Sequence, residues 1–310
     1  MIGRVTLGRG AWLGAGAVIR ADGHDVKAGD GLHLGRGATI HIAHDVYPAI
    51  LGHRVCVGED AVVHACTLGD EVVVEEGAVV LDGAVVGAGA VVEAGSFVFP
   101  RHVLEGGMLY AGRPAKAVRP LDRHELQARA DALRARNEAA PAGWHCRPVA
   151  ARAAADAFVA DTCDLEGDVR LAEGASLWFG CRLDARRGPI VLGRRCNVQD
   201  NSVLAAGPGG IRLGEDTTLG HNVKMAEATV GARCLVGMGS RIAPGTTVGD
   251  DSFLAGGCVT EPGQQLEGGF FWGGQPARPL GPLDDNKRAA ILRTAAVYTQ
   301  YAEALRGPRP

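Results

Sequence analysis

The chain of 310 residues has few aromatic side chains, almost no charge imbalance and no closely spaced cysteine pairs. Aromatic residues make up 5%, and 32 Lys plus Arg nearly balance 35 Asp plus Glu. Because no basic block is present, a nucleic-acid partner has no electrostatic support. No run of about 18 uncharged apolar residues occurs, so we expect no membrane span. The eight cysteines form no CxxC pair and the start lacks a signal segment, which favours buried, reduced thiols in a cytoplasmic protein.

Glycine is abundant instead, with 46 residues, and an aliphatic residue recurs about every six positions between residues 50 and 97. A helix requires a period of about 3.6 and an ordinary strand a period of 2, so neither explains the pattern. Six residues per side and three sides per coil predict a triangular solenoid of short parallel strands, with inward side chains stacked about 4.8 Å apart. A Gly-rich sandwich would place its turns about every 8–12 residues instead. The aliphatic positions are Leu51, Val57, Leu68, Val79 with Val80, Val86 and Val92.

The same pattern returns after residue 150, which indicates a tandem duplication. Residues 58–61 align with residues 220–223, and residues 20–22 align with residues 182–184. Each half ends in Pro-Ala followed by a helical pattern, one from a capping-box signature at Asp122 and Glu125 to about residue 137, the other near 285–305. Residues 139–153 break both periods. We therefore expect domains at 1–138 and 154–310 joined by a linker at 139–153, with the first domain shorter by one coil.

Both halves resemble the γ-class carbonic anhydrases at specific motifs. These are residues 188–203, 219–223 and 234–240 in the second half, and residues 64–69 and 80–84 in the first. The resemblance implies an all-β solenoid fold of two left-handed parallel β-helix domains of hexapeptide repeats, each followed by a C-terminal α-helix. It also implies a trimer, a lyase activity that hydrates CO2, and a metal cofactor, Zn²⁺ with Fe²⁺ as the alternative.

The resemblance also implies a set of metal ligands, which is divided between the halves. In that family three histidines bind the metal, the first and third from one protomer and the second from its neighbour. The first position falls on His41, the third on His64 and the second on His221. The remaining ligand positions have lost their histidine and hold Glu59 in the first half and Ala205 and Ala226 in the second.

The spacing of His41 and His64 supports a shared site independently of the resemblance. They lie 23 residues apart, which is one coil of about 18 residues plus a five-residue excursion around His44 and Tyr47. The two imidazoles can therefore lie on one face in adjacent coils, where neutral rings and one open position suit Zn²⁺. Glu59 comes five residues before His64, so it lies on another edge and would be an alternative ligand for a neighbouring subunit.

Two further polar pairs match motifs of the same family. Its Arg-x-Asp pair braces the subunit interface and lines the cleft, and we interpret the matching pairs here as structural ion pairs. Its Gln-Asp pair orients the water and the substrate, and the corresponding positions of the first half hold Gly35 and Arg36. Cys66 is interpreted as a packing residue rather than a nucleophile. The candidate catalytic positions are Arg20 with Asp22, Arg182 with Asp184, and Gln199 with Asp200.

Assembly and function each keep alternatives. In a trimer of chains, each cleft holds His41 and His64 with a neighbour's Glu59. In a ring whose third member is a separate γ-carbonic-anhydrase-like subunit, His221 completes the set instead. The function is then metal-dependent CO2 hydration, a non-catalytic role as an assembly subunit of a hexapeptide-repeat oligomer, or an acyl-CoA-dependent acyltransferase on the same fold.

Overall fold

The computed structural model describes residues 1–139 and 151–306, which form two compact units divided at residue 144. Unit 1 is the first of these ranges and unit 2 the second. Each unit is a parallel β-solenoid that ends in one α-helix, as the six-residue period and the resemblance predicted. Residues 140–150 of the expected linker lie outside the described residues, whereas Arg152–Ala153 already form a strand of unit 2.

Unit 1 begins with a strand and ends with helix α1. Its elements are β1 (Ile2–Leu7), β2 (Trp12–Leu13), β3 (Val18–Ala28), β4 (His33–Leu34), β5 (Thr39–His41), β6 (Ala49–Leu51), β7 (Cys56–Val57), β8 (Val62–His64), β9 (Thr67–Leu68), β10 (Val73–Val74), β11 (Val79–Val80), β12 (Val85–Val86), β13 (Val91–Val92), β14 (Phe97–Val98), β15 (Val103–Leu104), β16 (Met108–Gly112), β17 (Ala115–Pro120) and α1 (Arg123–Ala139).

Three faces of unit 1 are built from every third strand. Strands β2, β4, β7, β10, β13 and β16 form one face, β5, β8, β11 and β14 the second, and β6, β9, β12 and β15 the third. The long strand β3 pairs with both the second and the third face, and β17 adds to β16 in antiparallel orientation. Val57, Val74 and Val92 stand level in successive coils and are buried, so the predicted inward ladder is confirmed.

Helix α1 closes the first face of unit 1. Asp122 Oδ1 accepts a hydrogen bond of 2.7 Å from the backbone N–H of Glu125, so the N-terminal cap predicted at Asp122 is confirmed. The helix buries Ala130 and Leu133 against the strands, and apolar side chains on the outside of the solenoid complete this second core. Those side chains are Cys56, Val73, Val91 and Leu109.

Unit 2 repeats the architecture with two additional strands at its start. Its elements are β18 (Arg152–Ala153), β19 (Phe158–Val159), β20 (Asp164–Leu171), β21 (Ser176–Leu177), β22 (Arg182–Leu192), β23 (Asn197–Val198), β24 (Val203–Ala205), β25 (Ile211–Leu213), β26 (Thr218–Leu219), β27 (Lys224–Ala226), β28 (Thr229–Val230), β29 (Leu235–Val236), β30 (Arg241–Ile242), β31 (Thr247–Val248), β32 (Phe253–Leu254), β33 (Gln265–Leu266), β34 (Phe270–Gly273), β35 (Arg278–Pro282) and α2 (Asp285–Arg306).

The pairing of β20 with β22 repeats that of β1 with β3, including the same irregularity, so β18 and β19 are the coil that unit 1 lacks. The first domain was expected to be shorter by one coil, and this comparison confirms it. In the part of the chain that the structure describes, neither α1 nor α2 is long and apolar enough to cross a membrane.

An aromatic cluster fixes α2 on unit 2. The Trp178 ring is fully buried, and its centroid lies 5.0 Å from that of Tyr298, 6.2 Å from that of Tyr301 and 5.1 Å from that of Phe158. Because truncating a buried Trp removes its transfer free energy and leaves a cavity, we expect Trp178→Ala to lower the free energy of unfolding by about 3–5 kcal/mol. Denaturant unfolding followed by circular dichroism measures this, with Trp178→Phe losing less. A loss below about 1 kcal/mol for the alanine variant would contradict the anchoring role.

Candidate metal centre

His41 and His64 end two adjacent strands on the second face of unit 1. Each follows two residues of its strand, β5 or β8, and the strand register pairs the two histidines directly. Both side chains are buried. The excursion between the two coils therefore occurs as the 23-residue spacing predicted, and the adjacency of the two imidazoles is confirmed.

The facing ring nitrogens stand at the separation expected for two ligands of one metal ion. His41 Nδ1 lies 3.2 Å from His64 Nε2. Two nitrogens bound to one tetrahedral Zn²⁺ at about 2.0–2.1 Å lie about 3.3–3.4 Å apart. If each histidine donates its other N–H to a neighbouring carboxylate, the facing nitrogens both present lone pairs, which a shared cation would stabilise. The donor set therefore fits a metal.

A carboxylate lies behind each of these two histidines. His64 Nδ1 is 2.6 Å from Asp82 Oδ1, and His41 Nε2 is 3.6 Å from Asp22 Oδ1. Carboxylates in this position fix the orientation and tautomer of metal-binding histidines. Partial burial acts to raise the pKa of Asp82, but the His64 imidazole outweighs that effect and the pKa lies below its ordinary value. Asp82 was not predicted from the sequence, although its distance of 18 residues from His64, one coil, was a usable signal.

Arg20 completes the group behind His41. Its guanidinium is fully buried and contacts the Asp22 carboxylate. Burial acts to raise the pKa of Asp22, but the charges and hydrogen bonds of Arg20 and His41 outweigh it and hold the pKa well below its usual range. The predicted ion pair between Arg20 and Asp22 is therefore present, and it links the pair to His41.

The strand register shows that the expected match of Arg20 and Asp22 with Arg182 and Asp184 was wrong. Ile19 pairs with Ile40, the residue before His41, and Leu183 pairs with Leu204, the residue before Ala205. Ile19 and Leu183 are therefore equivalent positions of the two solenoids. Arg20 therefore aligns with Asp184, and not with Arg182. The alignment shifts because the loop after His41 is two residues longer than its counterpart in unit 2.

The order of the charges is reversed in unit 2. Asp184 pairs there with Arg186, whose Nε lies 2.9 Å from the carboxylate, so an Asp-x-Arg pair replaces the Arg-x-Asp pair. The residue beside Asp184 in the register is Ala205, where unit 1 has a histidine. The ion pair persists in unit 2, and the imidazole that it would support does not.

Unit 2 holds its one candidate ligand in a buried network of polar side chains. The Asp200 carboxylate lies 3.0 Å from His221 Nδ1, and both side chains are buried. The Tyr298 hydroxyl of α2 lies 3.4 Å from His221 Nε2. Gln199, adjacent to Asp200, donates through Nε2 to Asn197 Oδ1 at 3.3 Å. Asp200 thus contacts the candidate ligand directly, a role that sequence reasoning had not assigned to it.

Unit 1 replaces that histidine–carboxylate pair with an ion pair. Glu59 stands at the position of His221, and Arg36 at the position of Asp200. The Arg36 guanidinium donates two hydrogen bonds to Glu59 Oε1, at 3.1 and 2.7 Å. The Glu59 carboxylate is thus engaged by an arginine, which makes it a weaker candidate ligand than His221.

Burial sets the chemistry of the cysteines. Those in the described residues are buried and form no disulfide, as expected, while Cys146 lies outside the described residues. Burial raises the pKa of the Cys66 thiol, which opposes a role as nucleophile and agrees with its interpretation as a packing residue.

Comparison with known proteins agrees with this architecture. A family model described as the hexapeptide repeat of succinyl-transferase matches residues 227–260. The chain is 31% identical over 156 residues to γ carbonic anhydrase 1 and 36% identical over 155 residues to γ carbonic anhydrase 2, both mitochondrial proteins of Arabidopsis thaliana. Each match covers 48% of this chain, and it spans 57% and 56% of those relatives, little more than half their length.

A bacterial relative is matched over most of its length. The chain is 34% identical over 160 residues to a carbonic anhydrase of Geobacillus kaustophilus, which covers 50% of this chain and 88% of the relative. One solenoid and its helix account for about that length. This chain belongs to the γ-carbonic-anhydrase-like family of hexapeptide-repeat proteins.

Proposed function

We propose that this protein binds a divalent transition metal, Zn²⁺ with Fe²⁺ as the alternative, through His41, His64 and His221, and catalyses the reversible hydration of CO2. His221 comes from unit 2 of the same chain or of another copy. The observation that carries the proposal is the 3.2 Å separation of two buried imidazole nitrogens, with His64 oriented from behind by Asp82.

The choice of His221 over Glu59 rests on chemistry. Asp200 lies 3.0 Å from His221 Nδ1, which favours Nε2 as the ligating atom, and the Tyr298 hydroxyl lies 3.4 Å from that nitrogen. Glu59 is neutralised by Arg36. A set of three neutral imidazoles also suits a borderline-soft ion such as Zn²⁺ better than two imidazoles and an arginine-bound carboxylate.

The side chains around the pair have distinct tasks in this proposal. A bound Zn²⁺ would lower the pKa of water toward 7 and so supply a nucleophile at neutral pH. Asp82 holds His64 in the tautomer that presents a lone pair toward the ion, and Asp22 lies 3.6 Å behind His41. The buried Arg20 keeps Asp22 ionised, so that a negative charge faces the His41 ring. Gln199 remains the candidate for orienting water and substrate.

Metal analysis combined with stopped-flow CO2 hydration tests the proposal. We expect purified protein to hold stoichiometric metal and to accelerate hydration. Chelator treatment should remove both properties, and added Zn²⁺ should restore them. Protein that binds no metal under any of these conditions would rule the metal centre out.

A second candidate function is that of a non-catalytic assembly subunit. Ala205 and Ala226 at the ligand positions of unit 2 favour it, together with the reversed Asp184 and Arg186 pair. Self-association, or association with another hexapeptide-repeat chain, belongs to both candidates. Stoichiometric metal without CO2 hydration, in an oligomer of defined mass by light scattering, would favour this second function.

A further inference from the structure

The loop at residues 43–47 lies between β5, which ends in His41, and β6 on the third face, and it is closed by its own backbone. Ala43 N–H donates to Tyr47 C=O at 3.1 Å, and Tyr47 N–H donates to Ala43 C=O at 3.2 Å. Asp45 adopts a φ of 51°, which completes the tight turn. The loop is thus a preformed unit that projects two side chains, His44 and Tyr47.

Those two side chains pack against two glycines, each of which directly follows an aspartate. A Cβ on Gly23 would lie 2.1 Å from His44 Nδ1, and a Cβ on Gly83 would lie 3.2 Å from Tyr47 Cζ. Gly23 directly follows Asp22, and Gly83 directly follows Asp82. The loop therefore contacts the backbone immediately after each carboxylate that faces a candidate ligand histidine.

Unit 2 provides an internal comparison. The strand register places Arg187 at the position of Gly23 and Pro244 at the position of Asp82. The corresponding connection, residues 206–210, is two residues shorter than residues 42–48 of unit 1, and its Gly209 N–H donates to Glu227 Oε1 at 3.2 Å. The unit that lacks the two ligand histidines thus also lacks the counterparts of Asp82 and Gly23 and the longer connection, while Gly245 stands at the position of Gly83.

We infer that the loop at residues 43–47 is a positioning element, in which His44 and Tyr47 fix Asp22 and Asp82 and thereby set the orientation of His41 and His64. The inference rests on the metal centre proposed above. Tyr47 is a positioning residue here, because its ring contacts Gly83 and acts on the ligand only through Asp82. The contact involves ring carbons, so it does not depend on the phenolic hydroxyl.

Titration with Co²⁺, followed by the visible absorption of the bound ion, tests this inference without an activity assay. We expect Tyr47→Ala to weaken Co²⁺ binding about tenfold, at the lower end of the range for lost outer-shell partners, and to change the absorption spectrum. Tyr47→Phe should match the wild type in both. The matched control is Val46→Ala, since Val46 is 62% exposed on the same loop.

A double-mutant cycle with Asp82→Asn separates positioning from general loosening of the loop. If Tyr47 acts through Asp82, adding Tyr47→Ala to Asp82→Asn should produce little further loss of affinity. His44→Ala should likewise weaken Co²⁺ binding, acting through Asp22. Thermal unfolding of the metal-free variants should stay close to that of the wild type, because the loop lies at the surface and contributes no residue to the buried core.

Two results would overturn the inference while leaving the metal centre in place. These are unchanged Co²⁺ binding in Tyr47→Ala, or losses from Tyr47→Ala and Asp82→Asn that multiply in the double variant. Wild-type protein that binds no Co²⁺ would instead remove the proposed metal centre, and the inference with it.

Discussion

The His64→Ala variant is expected to lose stoichiometric metal while unit 1 remains folded. The substitution removes the nitrogen that faces His41 at 3.2 Å and leaves His41 as the single candidate ligand imidazole in unit 1. One imidazole from this unit cannot form a tetrahedral site of the kind that holds Zn²⁺. Elemental analysis after purification in the presence of Zn²⁺ measures the loss, and circular dichroism reports the fold.

The fold should tolerate this change because Asp82, the partner of His64, is accessible to water. The Asp82 side chain is 40% exposed, so water can solvate the carboxylate after the imidazole is removed. We therefore expect a loss of about 1–3 kcal/mol in the free energy of unfolding, as for a broken hydrogen bond. The matched control is His102→Ala, an exposed histidine of the same unit, which should keep its metal. Unchanged metal content in His64→Ala would contradict the ligand assignment.

The fold was largely predictable because the repeat of a solenoid is visible as a period in its sequence. Each inward position repeats in every coil, so Leu51, Leu68 and Val86 stand level in the structure as they recur in the chain. The two helices were predictable for a different reason, since each begins after an acidic cap and presents an apolar face. Such local signals do not depend on how distant segments meet.

The carboxylates around the candidate site were harder to predict. Acidic residues are common in this chain, and nothing local distinguishes Asp82 from those that serve as corner residues. Its identity depends on which residue stands one coil after His64, and that requires the register. The expected alignment of Arg20 with Arg182 failed for a related reason. The loop after His41 is two residues longer than its counterpart, so an alignment that is correct after the loop is wrong by two residues before it.

At the second-histidine position, both members of an interacting pair differ between the two units, which a comparison of single positions does not reveal. Glu59 looked like an alternative ligand because only its own position was considered. The structure shows that its partner changed as well, so that Arg36 with Glu59 in unit 1 replaces Asp200 with His221 in unit 2. Of the two pairs, only the second contains an imidazole.

His221→Gln is expected to weaken metal binding by more than about a hundredfold, beyond the 10–100-fold loss typical of outer-shell partners. Glutamine is chosen because its side-chain amide can still donate to Asp200. Removing the donor altogether would take the imidazole away from a buried carboxylate that also accepts from the Phe179 N–H, at a loss of about 3–5 kcal/mol. The matched control is Glu59→Gln, which should keep its metal because Arg36 already engages the Glu59 carboxylate. Isothermal titration with Zn²⁺ measures both affinities.

Mixing the two deficient variants then identifies the source of the third ligand. A refolded mixture of His64→Ala and His221→Gln chains contains intact His41 and His64 on one chain and intact His221 on the other. If the site forms between copies, the mixture regains metal that neither variant holds alone. If it forms within one chain, the mixture stays empty, because no chain then carries all three imidazoles. A reversed result for the single variants, with Glu59→Gln losing metal and His221→Gln keeping it, would contradict the assignment of His221 and establish the two-histidine, one-carboxylate site instead.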